Sequence, residues 1–331
     1  MPIKILILQK IHDDGIKLLR ENNYNIEVAE SSDEKYLIEK VKDFNGILVR
    51  GMVPLTRKII EAADKCEVIG RHGVGLETID MKAATENNIP VVYAPGSNSD
   101  SVAEHTVALM MTLAKKICKL NNSLKYYNDY NIRLNLSCFE LKDKTLGLIG
   151  LGNIGKKVAK ICEKGFNMKV IGYDPYITNE MLKNDSLQVS LVKSIDEVLK
   201  NSDIVSLHLP STKYNSCLIG EKELVLMKKS TLLINTARGT LIDEEALFKA
   251  VSTGVIAGAG LDVFFNEPPL ADNPLLKLDN IVVTPHTAAH SQEANRNMAI
   301  MTAKGMADVI NGKRPACIAN PEIWEIRRER K

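Results

Sequence analysis

Three polar residues each come just after a short apolar run in the second half of the chain. Leu232-Leu-Ile-Asn-Thr-Ala leads to Arg238, Ala259-Gly-Leu-Asp-Val-Phe-Phe-Asn to Glu267, and Ile281-Val-Val-Thr-Pro to His286. If the runs are strands of one parallel sheet, all three side chains emerge at its carboxyl edge, where open α/β sheets bind ligands. Histidine titrates near neutrality and can hand a proton to a developing alkoxide. A glutamate beside it orients the ring and favours its charged form. Arginine offers a planar fork of donors to the carboxylate and carbonyl oxygen of a 2-oxo acid. The set suits reduction of such an acid by a hydride. Singly, each residue has a plainer reading: a structural histidine, or an ordinary Arg238–Glu267 ion pair. Their convergence on one edge favours chemistry. His290, four residues on, has no strand end to aim it and reads as a capping or pocket-rim residue.

A hydride needs a donor, and the chain carries a loop for one. Thr145-Leu-Gly-Leu-Ile runs into Gly150-Leu-Gly152-Asn-Ile-Gly155, and Lys156–Gly165 then reads as a helix. Gly150 permits a tight turn, Gly152 lets a pyrophosphate approach the backbone, and Gly155 lets the helix pack on the strand. The phosphates would meet N–H groups at the positive helix end. Val170-Ile-Gly-Tyr-Asp174 is a second strand ending in a carboxylate at the spacing expected for a ribose contact. Asp174 accepts hydrogen bonds from ribose hydroxyls and repels a 2′-phosphate, which selects NAD over NADP.

These side chains need a scaffold, and short β-branched runs alternating with longer amphipathic stretches supply one. The pattern predicts mainly parallel sheets covered by helices. Strands are expected at 3–8, 25–29, 46–49, 68–70 and 90–93, and again at 145–149, 169–173, 203–207, 231–235, 257–261 and 281–284. Between the series, Ser101–Leu120 reads as one long helix capped by Ser99 or Asp100 that carries the chain to the next domain. A second long helix over Ser291–Asn311 brings it back. Boundaries fall near residues 100 and 290, with the first domain discontinuous.

At 331 residues the chain is too long for one ordinary core. A net charge of +2 gives no general field for nucleic acid or acidic lipid. No apolar run approaches the roughly 20 residues of a membrane helix. The N-terminus reads as a buried strand, not a signal peptide. Cys66, Cys118, Cys138, Cys162, Cys217 and Cys317 are scattered without a Cys-x-x-Cys or Cys/His cluster. That pattern predicts reduced thiols in a cytoplasmic protein, with no zinc site and no disulfide framework. Arg327-Arg-Glu-Arg-Lys331 reads as a solvated tail.

At its motifs the sequence resembles the D-isomer-specific 2-hydroxyacid dehydrogenase family, in its phosphoglycerate dehydrogenase-like branch. The motifs are Arg71-His-Gly-Val-Gly75, Pro95-Gly-Ser-Asn-Ser-Asp-Ser-Val-Ala-Glu104, Gly147–Gly155, Asn235-Thr-Ala-Arg-Gly239, Leu261-Asp-Val-Phe264 with Glu267-Pro268, and Pro285-His286. The resemblance implies an α/β protein of two doubly wound parallel-sheet domains. A Rossmann NAD-binding domain, residues 101–289, is inserted into a flavodoxin-like substrate domain formed by residues 1–100 and 290–331. It implies Arg238, Glu267 and His286 as the catalytic set, and a homodimer. Dinucleotide contacts are expected at Gly150, Gly152, Asn153, Ile154, Gly155, Asp174, Pro210, Thr236, Ala237, Arg238, Asp262 and His286. The substrate carboxylate is expected at Arg50, Gly51, Val74 and Gly75, together with Arg238 and His286.

The implied substrate is of the 3-phosphoglycerate/phosphohydroxypyruvate type. One departure bears on it: Gly51-Met52 follows Arg50 where phosphoglycerate dehydrogenases typically carry a small hydroxyl residue. Arg71 and Arg133 are the candidate phosphoryl partners. Hydroxypyruvate, glyoxylate and other short 2-oxo acids are the alternative. The chain ends at 331, so the C-terminal regulatory domain of many such enzymes is expected to be absent. A non-catalytic NAD-binding sensor, like the family's corepressor relatives, is the reading from another class. It is disfavoured by retention of all three catalytic residue types and by the lack of long tails. An L-specific lactate or malate dehydrogenase would carry its glycine loop at the N-terminus, not at residue 150.

Overall fold

The computed structural model describes residues 2–212 and 214–328. The chain separates into two compact units, Met1–Asn98 with His290–Lys331, and Ser99–Ala289.

The first unit is built on five parallel strands: β1 (Lys4–Ile7), β2 (Asn25–Val28), β3 (Gly46–Arg50), β4 (Val68–His72) and β5 (Val91–Val92). Their order is β2-β1-β3-β4-β5, the flavodoxin-like arrangement. β1, β3, β4 and β5 are mostly apolar because both faces are covered, whereas edge strand β2 is largely exposed. Ile5, Ile7, Leu48 and Val68 pack on one side with Leu19, Ala303 and Met306, and Leu6, Ile47, Val49 and Ile69 pack on the other with Leu37, Ile59 and Ile60. The first side is covered by helices Asp13–Glu21 and Gln292–Ile310. These cross closely at Gly15, where an added Cβ would lie 2.8 Å from Ala299. The tail differs in part from expectation. Arg328 donates to the carbonyls of Ala63 and Asp64, and Arg327 lies 4.0 Å over the Trp324 ring. Residues 329–331 lie outside the described residues.

The second unit carries seven parallel strands: β6 (Thr145–Ile149), β7 (Lys169–Tyr173), β8 (Val189–Leu191), β9 (Ile204–Leu207), β10 (Leu232–Asn235), β11 (Gly258–Leu261) and β12 (Ile281–Val283). The order β12-β11-β10-β9-β6-β7-β8 reverses direction between β6 and β9, the switch point of a Rossmann sheet. Because every pairing is parallel, all carboxyl ends lie on one edge.

Two local expectations fail here. The apolar pattern predicts no strand at β8, a three-residue edge strand whose Ser190 is exposed, so it lacks a buried apolar run. The long helix is two helices, Ser99–Ala114 and Ile117–Tyr127, broken where Lys116 takes a left-handed conformation at φ 53°. Ser99 and Asp100 lie inside the first helix and do not cap it, and the whole helix belongs to the second unit. Among the described residues no helix is long and apolar enough to cross a membrane, and no cluster of His, Cys, Asp and Glu could hold a metal. All six cysteines are free.

Candidate active site

The glycine loop leaves β6 and enters helix Asn153–Phe166, which is anchored by buried Val158, Ala159 and Cys162. Each glycine has its own reason. Gly150 holds φ +98°, and a Cβ there would strike the His208 carbonyl at 2.4 Å. A Cβ on Gly155 would meet the Gly150 carbonyl oxygen at 2.2 Å, so this glycine sets the helix tight on the turn. At Gly152 a Cβ would meet nothing within 4 Å. Gly152 therefore leaves open space beside the first N–H groups of the helix, which have no intrahelical partners. That combination fits a pyrophosphate.

Asp174, just beyond β7, is half-buried and bonded in a way the sequence did not announce. One carboxylate oxygen accepts the Leu151 N–H and the other accepts the Tyr176 N–H, both at 2.9 Å. It braces the glycine loop as well as standing where a ribose is expected. At the end of β9, the Pro210 carbonyl accepts from Asn215 at 2.8 Å. His208 is half-buried with its Nε2 2.9 Å from Ser206 Oγ, and desolvation pushes its pKa down to about 3.

The loop after β10 is folded by Asn235. This buried amide donates to the Arg238 carbonyl and accepts the Ala237 N–H. Thr236 is buried with its hydroxyl 2.8 Å from Thr106. Gly239 lets the loop press on its neighbour, because a Cβ there would lie 1.9 Å from the Phe264 carbonyl. The neighbouring loop, after β11, carries the glutamate. Glu267 turns back to accept the Phe264 N–H at 3.1 Å on one oxygen and meets His286 Nδ1 at 2.7 Å on the other.

Asp262 is 1% exposed and holds the turn that presents His286. One carboxylate oxygen accepts from the Thr284 hydroxyl and the Thr287 N–H, and the other from the Ala288 N–H. Its carbonyl accepts the His286 N–H at 2.8 Å. His286 itself sits at φ 52°, a left-handed conformation that costs an L-residue about 1–2 kcal/mol.

Opposed charges set the proton affinities of this pair. The Glu267 hydrogen bond raises the His286 pKa above its ordinary value, against burial and the Arg238 charge. Burial works to raise the Glu267 carboxyl, but His286 and the Phe264 N–H outweigh it, and the group ends below its ordinary range. The Arg238 charge is felt by both partners. The structure thus brings Arg238, Glu267 and His286 together at the carboxyl edge. His290 belongs to the other unit, and the cap of helix Gln292–Ile310 is Ser291, whose hydroxyl accepts the Ala294 N–H.

In the first unit, Arg71 joins the two segments expected at a substrate carboxylate. Its guanidinium donates to the carbonyls of Gly51 at 2.9 Å and Gly75 at 2.7 Å. Gly51 is left-handed at φ +63°, and Val74 is 36% exposed. Arg50 donates to the Lys10 carbonyl and to Asn295. Arg133, in the second unit, lies 4.8 Å over the ring of Tyr130.

Sequence reasoning missed the Arg71 staple, the second duty of Asp174, and His105, whose Nε2 lies 2.9 Å from the Thr284 hydroxyl. Nothing local flags His105. It stands in an apolar helix and acquires a partner only when residue 284 is brought to it.

A parallel sheet with this strand order and a glycine turn at its switch point defines a dinucleotide-binding Rossmann unit. Residues 107–288 match the D-isomer specific 2-hydroxyacid dehydrogenase, NAD binding domain, and the chain belongs to that family. It is 44% identical over 318 residues to a D-3-phosphoglycerate dehydrogenase of Methanocaldococcus jannaschii, covering 96% of this chain and 59% of that protein. It is 36% identical to a glyoxylate reductase of Thermofilum pendens, covering 98% of this chain and 96% of that protein. The chain spans between 50% and 59% of the length of the first four phosphoglycerate dehydrogenases it matches. The NAD-complexed crystal structure of a D-isomer specific 2-hydroxyacid dehydrogenase from Lactobacillus delbrueckii superposes with a TM-score of 0.79 at 29% identity, covering 96% of this chain and 100% of that one.

Proposed function

We propose that the chain interconverts a 2-oxo acid and its D-2-hydroxy acid with NAD as cofactor, using Arg238, Glu267 and His286 as catalytic residues. The observation that carries this reading is the 2.7 Å contact between His286 Nδ1 and the Glu267 carboxylate. It stands on the same sheet edge as a glycine loop shaped for a pyrophosphate. Gly150, Gly152, Asn153, Ile154 and Gly155 would hold that pyrophosphate. Asp174 would take the ribose hydroxyls, with Pro210, Thr236, Ala237 and Asp262 along the same edge. Bound NADH supplies a hydride to C2 of the substrate.

The residues handle the rest. As the carbonyl electron pair moves onto oxygen, protonated His286 delivers its Nε2 proton to that oxygen and is left neutral. Glu267 holds Nδ1, which fixes the ring and stabilises its charged form. Arg238 presents a guanidinium fork to the substrate carboxylate and to the oxygen whose negative charge grows. In the reverse direction neutral His286 takes the hydroxyl proton. In the first unit, the Arg50–Gly51 and Val74–Gly75 segments drawn together by Arg71 are suited to a carboxylate.

The substrate is of the phosphohydroxypyruvate type, supported by the 44% identity to a phosphoglycerate dehydrogenase. A second reading, glyoxylate or hydroxypyruvate, is favoured by one observation. Arg71 is engaged on backbone carbonyls and Arg133 on a tyrosine ring, so both expected phosphoryl partners have other duties. The assembly is a homodimer, which rests on the family resemblance and is tested by light scattering. The decisive experiment is turnover with NADH across phosphohydroxypyruvate, hydroxypyruvate, glyoxylate and branched 2-oxo acids. A D product from at least one is expected. Inactivity on all of them with NADH binding intact would overturn the enzyme reading in favour of a sensor.

A further inference from the structure

Ser101 and His105 lie four residues apart in helix Ser99–Ala114, so they share one face. Their partners also lie four apart. The Ser101 hydroxyl donates to the Ala288 carbonyl at 2.7 Å, and His105 Nε2 meets the Thr284 hydroxyl at 2.9 Å. His286 is midway between those partners. One helix face therefore grips both shoulders of the left-handed turn that presents the imidazole.

The hydrogen-bond directions are determined. The Thr284 hydroxyl donates its single proton to the Asp262 carboxylate at 2.5 Å, so it can only accept from His105. His105 must carry its proton on Nε2. Two chains of bonds then converge on the turn: His105 to Thr284 to Asp262, and Ser101 to Ala288, whose N–H returns to Asp262. The Asp262 carbonyl accepts the His286 N–H. A left-handed histidine is held only when its surroundings over-determine it, and these bonds fix residues 284, 286, 287 and 288 together.

We propose that His105 is a positioning residue: through Thr284 and Asp262 it holds the His286 turn in the geometry that proton delivery requires. The proposal rests on the reading of His286 as the proton donor for its kinetic part, but its structural part can be read without turnover.

The test compares His105→Phe, which fills the space without a donor, with His105→Gln, whose amide nitrogen can reach the Nε2 position. For each, kcat, KM, NADH affinity, melting temperature and the ring ¹H–¹⁵N signals of His286 are measured. We expect His105→Phe to lower kcat by roughly 10- to 100-fold, the scale of a small misplacement. NADH affinity should hold and the His286 signals should shift. His105→Gln should restore kcat and signals together. Should His105→Phe fail to fold, His105→Asn replaces it, since its amide is too short to reach Thr284. Unchanged kcat and unchanged His286 signals without the donor would overturn the proposal, as would equal damage from Gln and Phe, which would mark simple packing. If the signals shift as expected while His286→Asn keeps full kcat, the positioning stands and the proton-donor assignment fails instead.

Discussion

Each unit places a histidine at a strand end with arginine charge nearby, and the two meet opposite fates. His72 ends β4 in the first unit, where Arg50 and Arg71 oppose its protonation. His286 comes after β12 in the second, where Arg238 does the same. His72 is 4% exposed and its Nε2 meets the Asn295 carbonyl, so burial, then Arg50, push its pKa down to about 4. The His286 side chain is 46% exposed and bonded to Glu267, which raises its pKa. Residue type, strand-end position and arginine are common to both. A carboxylate partner and access to solvent separate the proposed proton donor from a piece of core.

The largest effect should come from removing the ring that differs. His286→Asn is expected to lower kcat for reduction by roughly 10²–10⁴-fold. NADH affinity and melting temperature should change little. Steady-state rates and fluorescence titration measure both. A loss under threefold would reduce His286 to the same structural status as His72.

Glu267→Gln sharpens the comparison by removing the carboxylate that His72 lacks. On the proposed mechanism reduction needs His286 protonated, so activity should fall as pH rises through its pKa. Glu267 raises that pKa, and without the carboxylate the alkaline limb of the kcat profile should move to lower pH. Loss at neutral pH should be on the order of 10². An alkaline limb that stays in place would mean another group titrates there.

Asp174 shows that a position can be legible while its duty is not. Its spacing from Gly150 points to a ribose, yet the structure adds a bond to Leu151 that supports the glycine loop. Asp174→Asn keeps one acceptor and removes the charge. NADH should weaken by roughly tenfold, consistent with losing a charged acceptor worth about 1.5 kcal/mol. The preference over NADPH should narrow, seen in kcat/KM for both cofactors. An unchanged ratio would leave Asp174 as a loop brace alone.

Much of the scaffold was readable because buried parallel strands write themselves as apolar runs and the glycine loop has a mechanical signature. Eleven of the strands fall at expected positions, the largely exposed β2 among them; β8 does not, being a three-residue edge strand with a serine at its centre. The placement of Arg238, Glu267 and His286 at the carboxyl edge was readable because each stands a few residues past the end of an apolar run. The supports were not. Arg71 joins Gly51 to Gly75, and His105 reaches Thr284 across 179 residues of sequence. Such bonds exist only once the chain has folded, and no local pattern encodes them. The break at Lys116 was hidden for a related reason, since the apolar spacing runs through it.

The smallest effect belongs to the buried His72, and it should appear in stability. His72 is neutral in the fold, with its pKa lowered from 6.5 to about 4. Between those values the unfolded chain binds a proton that the folded chain refuses, so stability rises with pH. The contribution is fully present above about pH 6.5 and is lost as pH falls toward 4. Half-buried His208, lowered to about 3 by desolvation, acts in the same direction. His72→Gln should cost a little at pH 7, roughly 1 kcal/mol for a perturbed hydrogen bond. Its denaturation midpoint should then fall less than that of the wild type between about pH 6.5 and 4.5, because one proton-binding difference has gone. Urea unfolding at several pH values within that window measures the slope. If wild type and variant lose stability in parallel, His72 is not neutral in the folded chain, and the contrast with His286 must rest on the Glu267 contact alone.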